Sequence, residues 1–423
     1  MEQEKNLSAL KEGVYLVSGA TYSCIYNLNT GKLYRMNKSD KVILESFLQG
    51  DKTLANANIV KNCTAQGLIE ETSVSRNYTF PTSNPQASSI SMAWVEITTK
   101  CNLRCRHCYN ESSESNHTYM NMDDYIRVID ELAQLEVLSI QLIGGEPLLV
   151  EAFLQMVDYA VGKFKRIEIF TNATLLTKSV IARLSEFDIH VAVSVYSYDA
   201  NTHDFVTRVD GSHEKSLQAI ELLKNHGVTY RVTNVLMACC DIGEKNTNLF
   251  TLSTKRDVVR MTGRGNIDLL NSELVRKRLI TEATFSEPLN RKLVSRNTRG
   301  HNCFARSIYI SSDLTVYPCV MERRISHGNL KNGSLRNILR SEIQGLSKNQ
   351  IEACKDCEFR YACHDCRPDS FSKNLFAKPW YCTYDPSTGI FADVDDFVNQ
   401  IVSKKLSAKN CTYSPEIKKA SKK

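Results

Sequence analysis

The sequence has no apolar run approaching the ~18 residues of a membrane span. Residues Met1 to Lys11 are polar and mixed in charge, without the pattern of a secretory signal. A cytoplasmic protein with no membrane partner is the expectation. Charge of one sign is also scarce: the net charge is +6 over 423 residues, and no stripe of Lys and Arg interleaved with aromatics forms a nucleic-acid track. The Lys-rich end, Lys404-Lys405 and Lys418 to Lys423, reads as a solvated tail. General disorder is excluded, since 42% of residues are hydrophobic and 24% charged, and the length suits two or three domains. What the sequence has in quantity is cysteine, fifteen in all. Without an export signal these do not read as a disulfide framework, and metal or cluster ligation becomes the default.

Three of the fifteen fall within Cys101-Asn102-Leu103-Arg104-Cys105-Arg106-His107-Cys108-Tyr109. Thiolates spaced three and then two residues apart on one loop can hold three corners of a cubane iron–sulfur cluster, whereas an electron-transfer cluster is closed by four Cys. The open corner suggests a substrate or cofactor as the fourth ligand. On their own, the three can equally be half of a zinc site or structural thiols. Just before them, Ala93-Trp94-Val95-Glu96-Ile97-Thr98 alternates and carries β-branched residues, as a strand does.

Nearer the N-terminus, Val14 to Val17, Ser23 to Leu28 and Leu33 to Met36 read as strands, with a hairpin turn at Asn29-Thr30-Gly31-Lys32. Asn37 to Asp40 can cap a helix carrying Val42, Ile43, Phe47 and Leu48 on one face. A second helix is expected over Asn56 to Ala65, ahead of Gly67-Leu68-Ile69. Pro, Ser and Asn between Arg76 and Ser91 read as linker. After the cysteine loop, helices over 123–136, 151–163, 178–187 and 213–226 alternate with strands over 138–143, 166–171, 190–195 and 229–237, and a last strand is expected over 257–261. Such alternation means parallel pairing with the helices outside. Three strand ends carry chemistry. In Gly144-Gly145-Glu146-Pro147 the glycines allow close main-chain approach and Glu146 can accept from an ammonium. Thr171 to Leu176 lies at the end of the third strand and Ser194 at the end of the fourth.

The three-cysteine loop, followed by Gly144-Gly145-Glu146-Pro147 after the second strand, resembles the signature of the radical S-adenosylmethionine (SAM) superfamily. The resemblance implies an α/β protein with a partial (β/α)6 TIM-like barrel over 92–265 and active residues at the C-terminal strand ends. It implies that Cys101, Cys105 and Cys108 bind a [4Fe-4S] cluster and that His107 lies against the adenine of SAM. It also assigns Gly144, Gly145 and Glu146 to the methionine amine, Ser194 to the ribose and Arg208 to the carboxylate. Thr171 to Leu176 is similar to the family's Thr-Asn-Gly-Thr-Leu stretch, with Ala173 in place of Gly, which puts Asn172 in the cofactor lining. Val259 to Gly265 resembles the barrel exit of the family's peptide-modifying members.

A second cysteine set follows. Cys303 and Cys319 flank a strand pair, Ser307 to Ile310 and Leu314 to Val316; Cys354, Cys357, Cys363 and Cys366 are closely spaced, and Cys382 lies beyond. A zinc ribbon needs Cys pairs separated by a longer arm than the one between Cys357 and Cys363. The seven look like the SPASM extension of radical SAM enzymes. That resemblance implies two auxiliary [4Fe-4S] clusters, the first on Cys303, Cys319 and Cys366 and the second on Cys354, Cys357, Cys363 and Cys382, hence three [4Fe-4S] clusters with SAM. The first set lacks a protein thiolate, and either His301 completes it or the iron stays open to a substrate atom. Two departures stand out. Leu314 replaces the family's Gly, which suggests a different turn made by Asp313, and the gap from Cys363 to Cys366 is one residue short. Cys24, Cys63, Cys239, Cys240 and Cys411 have no partner spacing and are expected as buried thiols or, for Cys411, a tail residue.

The N-terminal unit is similar to the small β3α3 winged-helix-like recognition domain of ribosomal-peptide modification. Together these resemblances divide the chain into a leader-recognition unit at 1–80, a linker at 81–91, the barrel at 92–265, a bridge at 266–300, the SPASM domain at 301–398 and a basic tail at 399–423. They imply a maturase that cleaves SAM to a 5′-deoxyadenosyl radical and installs an intramolecular crosslink, expected as a Cys thioether, in a ribosomally made precursor peptide. A reducing donor such as flavodoxin or ferredoxin would serve it. One alternative is a sulfatase-type maturase forming formylglycine, although that group has Asp where this chain has Val320. The other is a cluster-bearing or zinc-bearing binding protein without turnover, which has no need of Gly144-Gly145-Glu146.

Overall fold

The structure, a computed structural model, describes residues 7–72, 76–81, 90–252, 257–286 and 288–403. Most of the expected linker, and the Lys-rich end with Cys411, lie outside these. No helix among the described residues is long and apolar enough to cross a membrane.

The first unit opens with β1 (Leu7–Leu10), then β2 (Val14–Ser18), β3 (Tyr22–Asn27) and β4 (Lys32–Asn37), the last three forming an antiparallel sheet in that order. Gly31, at φ 76°, makes the hairpin between β3 and β4. The side chain of Asn37 accepts from Asp40 N at 2.8 Å and so caps α1 (Lys38–Leu48). A short 3-10 turn (Lys52–Asn56) and α2 (Asn58–Ala65) follow, which makes three helical segments. β5 (Ile69–Thr72) then returns to pair antiparallel with β1. That pairing is invisible in the sequence because Ile69-Glu70-Glu71-Thr72 shows no apolar alternation. Leu16, Ile25, Leu44, Phe47 and Val60 form the unit's core.

In the barrel, β6 (Met92–Thr98), β7 (Ser139–Gly144), β8 (Arg166–Thr171), β9 (Ile189–Ser194) and β10 (Thr229–Thr233) pair in parallel in chain order. The expected fifth strand breaks at Asn234. Its continuation, β11 (Val235–Leu236), leaves β9 and pairs with β12 (Asp257–Val258), which is shorter than expected. Outside lie α3 (Met122–Gln134), α4 (Phe153–Ala160), α5 (Lys178–Ser185) and α7 (Ser212–Asn225), with an unanticipated α6 (Ala200–Thr207) between Ser194 and Arg208. Val95, Leu142, Ile169 and Val191 on the strands meet Val128, Ile129 and Val157 on the helices in one core. Each such buried side chain contributes ~1.5–3 kcal/mol.

The bridge carries α8 (Ser272–Arg278) and α9 (Arg291–Arg299). After it, β13 (Ser307–Ile310) adds in parallel to the free edge of β6, and β14 (Thr315–Tyr317) and β15 (Gly328–Asn329) continue antiparallel. Barrel and extension therefore share one eight-stranded sheet. The turn between β13 and β14 corrects the expectation at Leu314. Leu314 itself takes the left-handed conformation, φ 72°, while Asp313 braces the turn by accepting from Thr315 N at 3.1 Å. The side chain of Leu314 is buried in the main core, and that burial offsets the ~1–2 kcal/mol cost of a left-handed L-residue. A last helix, Val394–Ser403, runs past residue 398 and packs Val398 and Ile401 against Leu274 and Val275 of α8.

Candidate active site

The cysteine loop leaves the C-terminal end of β6 and is held from three sides. On the first, Gly145 N donates to Thr98 O and Glu146 N to Lys100 O, both at 2.8 Å. A Cβ on Gly144 would stand 2.5 Å from Thr98 O, and one on Gly145 2.2 Å from Lys100 O. The glycine pair is therefore required for the loop to lie on β7 at all. On the second side, the amide of Asn172 donates to Asn102 Oδ1 at 2.9 Å, and Asn102 donates to Thr174 Oγ1 at 2.8 Å, tying the loop to the end of β8. On the third, Arg264 N donates to Cys108 O at 3.0 Å, and the Arg264 guanidinium donates to Cys105 O at 2.8 Å and Ser112 O at 2.9 Å.

These elements enclose a cavity of about 140 Å³ lined by Cys101, Cys105 and Cys108 together with His107, Gly144, Gly145, Asn172, Ser194, Tyr196 and Arg264. Of the expected cofactor residues, His107, Gly144, Gly145, Asn172 and Ser194 are thus brought together. His107 packs edge-on against Tyr196, 4.7 Å between ring centroids. Burial, aided by Arg264, pushes its imidazole down to about 4, so it is neutral, and its Nδ1 is buried without a protein partner. Burial pushes the Cys105 thiol up to about 12 and that of Cys101 up as well. Such thiols ionise readily only against a metal. A second cavity, of about 520 Å³, shares His107, Tyr109, Phe170, Ser194 and Tyr196 as walls and reaches Asn234, Arg260 and Met321.

Two of the expected residues are not among the walls of this cavity. Glu146 does not line the cavity. Its carboxylate is fully buried and accepts from Thr171 Oγ1 at 2.7 Å, Asn172 N at 2.8 Å and Leu148 N at 3.2 Å, so it braces the end of β8. Burial holds it at about 7 despite these donors. Arg208, the left-handed C-cap of α6 at φ 62°, is exposed, with Arg106, Arg104, Arg264 and Cys105 close enough to act on it. The cation at the cavity is Arg264, and the aromatic wall beside the thiols is Tyr196. Sequence reasoning passed over both. Tyr196 lies two residues beyond Ser194, where strand alternation returns a side chain to the same face. Arg264 follows Gly263, whose close approach to Tyr109 O, 2.4 Å for a Cβ, marks where the chain meets the cysteine loop.

The later cysteines fall into two groups. Cys354, Cys357, Cys363 and Cys382 line one cavity with Lys348, Lys378 and Tyr384. Lys348 is fully buried there and donates to Cys363 O at 2.5 Å, a cation suited to a tetrathiolate cluster anion. The Cys319 thiol is pushed up to about 12 by burial, then by Cys366 and Cys303, which are its neighbours. Both ring nitrogens of His301 face groups other than the thiols. Its Nδ1 accepts from Cys303 N at 3.2 Å and Phe304 N at 3.3 Å, and its Nε2 faces Asp365 Oδ2 at 3.4 Å. A second imidazole is close by, that of His364, whose Nε2 lies 3.5 Å from the Asn302 amide that also donates to Cys303 Sγ at 3.2 Å. Cys24, Cys63 and Cys239 are buried thiols.

The pattern of the radical SAM superfamily matches residues 95–242, and that of the SPASM iron-sulfur cluster-binding domain matches residues 303–358. These two stretches are a radical SAM domain and a SPASM domain. The chain is 28% identical over 322 residues to the antilisterial bacteriocin subtilosin biosynthesis protein AlbA of Bacillus subtilis, covering 69% of this chain and 70% of AlbA. It is 33% identical over 141 residues to the mycofactocin maturase MftC of Mycolicibacterium smegmatis, a match to about a third of each chain (33% and 36%). The fold of Streptococcus suis SuiB superposes with a TM-score of 0.50 at 13% identity over 88% of this chain and 99% of SuiB. The chemistry of the donor sets fits the family's groups. Cys101, Cys105 and Cys108 would hold the cluster, and the cavity they share with His107, Gly144, Gly145, Asn172, Ser194 and Arg264 would hold SAM.

Proposed function

We propose that this radical SAM enzyme is a maturase that installs an intramolecular Cys thioether in a ribosomally made precursor peptide. When bound, SAM and its cluster supply a 5′-deoxyadenosyl radical that removes an unactivated hydrogen. The chain's part is to orient SAM between the Gly144-Gly145 backbone and Tyr196, to admit the peptide through the second cavity, and to keep water away. The reading assigns 1–80 to leader recognition, 92–265 to the barrel and 301–398 to two auxiliary clusters, with flavodoxin or ferredoxin as donor.

One observation carries it. The N-terminal unit is seated on the second cysteine group: Arg35 Nε bonds Glu358 Oε1 at 2.8 Å, and Tyr26 Oη donates to Glu358 O at 2.9 Å, next to Cys357. Among the described residues no strand pairs with the outer edge of β4, so a peptide added there gains main-chain bonds while its other end reaches the barrel. The relatives agree: AlbA is named for bacteriocin biosynthesis, and SuiB is known bound to the precursor peptide SuiA. Support for a thioether comes from His301, whose two nitrogens face other groups. The open position of the first auxiliary set then suits a soft thiolate from the substrate.

The test is anaerobic turnover. The reduced enzyme with SAM should form 5′-deoxyadenosine, and its precursor product should lose two hydrogens and one alkylatable Cys. His364→Ala should leave that product unchanged. A product that still alkylates at every Cys overturns the thioether, and absence of SAM cleavage overturns the enzyme reading.

A further inference from the structure

The outer face of the cysteine loop is built against the end of α6. Arg104 N donates to Thr207 O at 3.0 Å, Arg106 N to Val206 O at 2.9 Å, and Arg106 Nε to Phe205 O at 3.0 Å, so the loop supplies the donors that the last helical carbonyls lack. This pairing gathers three arginines. Arg104 and Arg208 are exposed, and the Arg106 guanidinium stacks on Phe205 at 3.7 Å. Among the described residues none of the three enters an ion pair. The side chains acting most strongly on Arg208 are Arg106, Arg104 and Arg264, all of its own sign. A helix C-terminus accounts for only about half an elementary charge, so the patch carries uncompensated positive charge. Two of the three, Arg104 and Arg106, lie on the loop that holds Cys101, Cys105 and Cys108, and Arg208 is close enough to be acted on by Cys105.

We propose that Arg104, Arg106 and Arg208 form the docking surface for an acidic one-electron carrier protein, which reduces the cluster through the loop backbone. The proposal rests on the functional reading above in one respect, that an electron must reach this loop. Transfer rates fall steeply with distance, and Arg104 and Arg106 flank Cys105 in the chain. The carrier's flavin hydroquinone anion gives one electron and becomes the neutral semiquinone, while the cluster gains that electron. Charge complementarity of this kind governs encounter and orientation more than contact area. An acidic leader peptide is the less favoured occupant, because the N-terminal unit sits at the second auxiliary group, against Glu358.

Flavodoxin hydroquinone is the probe, with dithionite as the small-molecule control. For the Arg104→Gln/Arg208→Gln double variant, flavodoxin binding should weaken about tenfold at low ionic strength, and cluster reduction by flavodoxin should slow in proportion. Iron content and reduction by dithionite should stay at wild-type values. Salt should weaken the wild-type complex much more than the variant's. The Arg104→Lys/Arg208→Lys variant keeps the charge and should keep the affinity. Unchanged flavodoxin affinity in the Gln variant overturns the proposal, as does an equal loss in the Lys variant. Loss of leader-peptide binding with flavodoxin binding intact assigns the patch to the peptide and also overturns it. A protein reduced normally by flavodoxin that leaves its precursor unmodified would sink the maturase reading while the docking surface stands.

Discussion

Tyr309 Oη donates to Glu96 Oε2 at 2.6 Å, across the seam where β13 of the extension joins β6 of the barrel. Glu96 is buried and also accepts from Ser312 N at 3.0 Å, Ser312 Oγ at 2.8 Å and Asn110 Nδ2 at 2.5 Å. One carboxylate therefore ties together the strand before the cysteine loop, the residues just after it and the turn of the extension hairpin. Tyr309→Phe removes one donor from a buried charge and should cost ~1–3 kcal/mol of stability. Thermal unfolding should show the loss, and SAM affinity should change much less.

Gly145→Ala tests the seating of the loop. A Cβ would stand 2.2 Å from Lys100 O and 2.8 Å from Cys101 Cβ, and backbone must move to accept it. The fully loaded protein should carry about twelve irons in three clusters. The variant is expected to lose about a third of them and all SAM cleavage, as should replacement of Cys101, Cys105 and Cys108 by Ala. Iron analysis of anaerobically reconstituted protein reads the outcome.

Ala173 and Leu314 both occupy the left-handed region, at φ 63° and 72°, yet their replacement by Gly should act in opposite directions. Ala173→Gly relieves ~1–2 kcal/mol of backbone strain against ~0.5–1 kcal/mol of added chain entropy, and should be neutral to slightly stabilising. Leu314→Gly also relieves strain but empties a fully packed side chain, at ~2–5 kcal/mol for loss of a buried Leu. Urea unfolding midpoints of the two variants should fall on opposite sides of, or respectively at and well below, the wild-type value.

Glu146 imposes a pH dependence. Its carboxyl is raised from 4.5 to about 7, chiefly by burial, so the folded protein binds a proton that the unfolded chain has released. The associated stability is fully present below about 4.5 and is lost as pH rises through about 7. For this one group the loss is on the order of 3 kcal/mol. Glu146→Gln cannot titrate, so the stability difference between wild type and variant should shift against the wild type over that range. Denaturant unfolding of the cluster-free proteins at a series of pH values measures it.

Cysteine spacing, strand and helix alternation, and the glycine pair were all legible in the sequence, because each is a local pattern. Cys101, Cys105 and Cys108 share one loop whatever the rest of the chain does, and period-two strands must alternate with amphipathic helices in a parallel barrel. What the tertiary structure decided is direction and partnership. Arg208 and Arg264 read alike as cations in loops, but the left-handed cap of α6 turns the first to solvent while the packing of Gly263 on Tyr109 brings the second to the thiols. Glu146 has the residue type to meet an ammonium, and only the folded end of β8 shows its oxygens already bonded. Leu314 keeps the turn that a glycine would make because a core is there to bury its side chain. The addition of β13 to β6, and the seating of Arg35 on Glu358, join segments more than two hundred residues apart, and no local pattern encodes a contact at that separation.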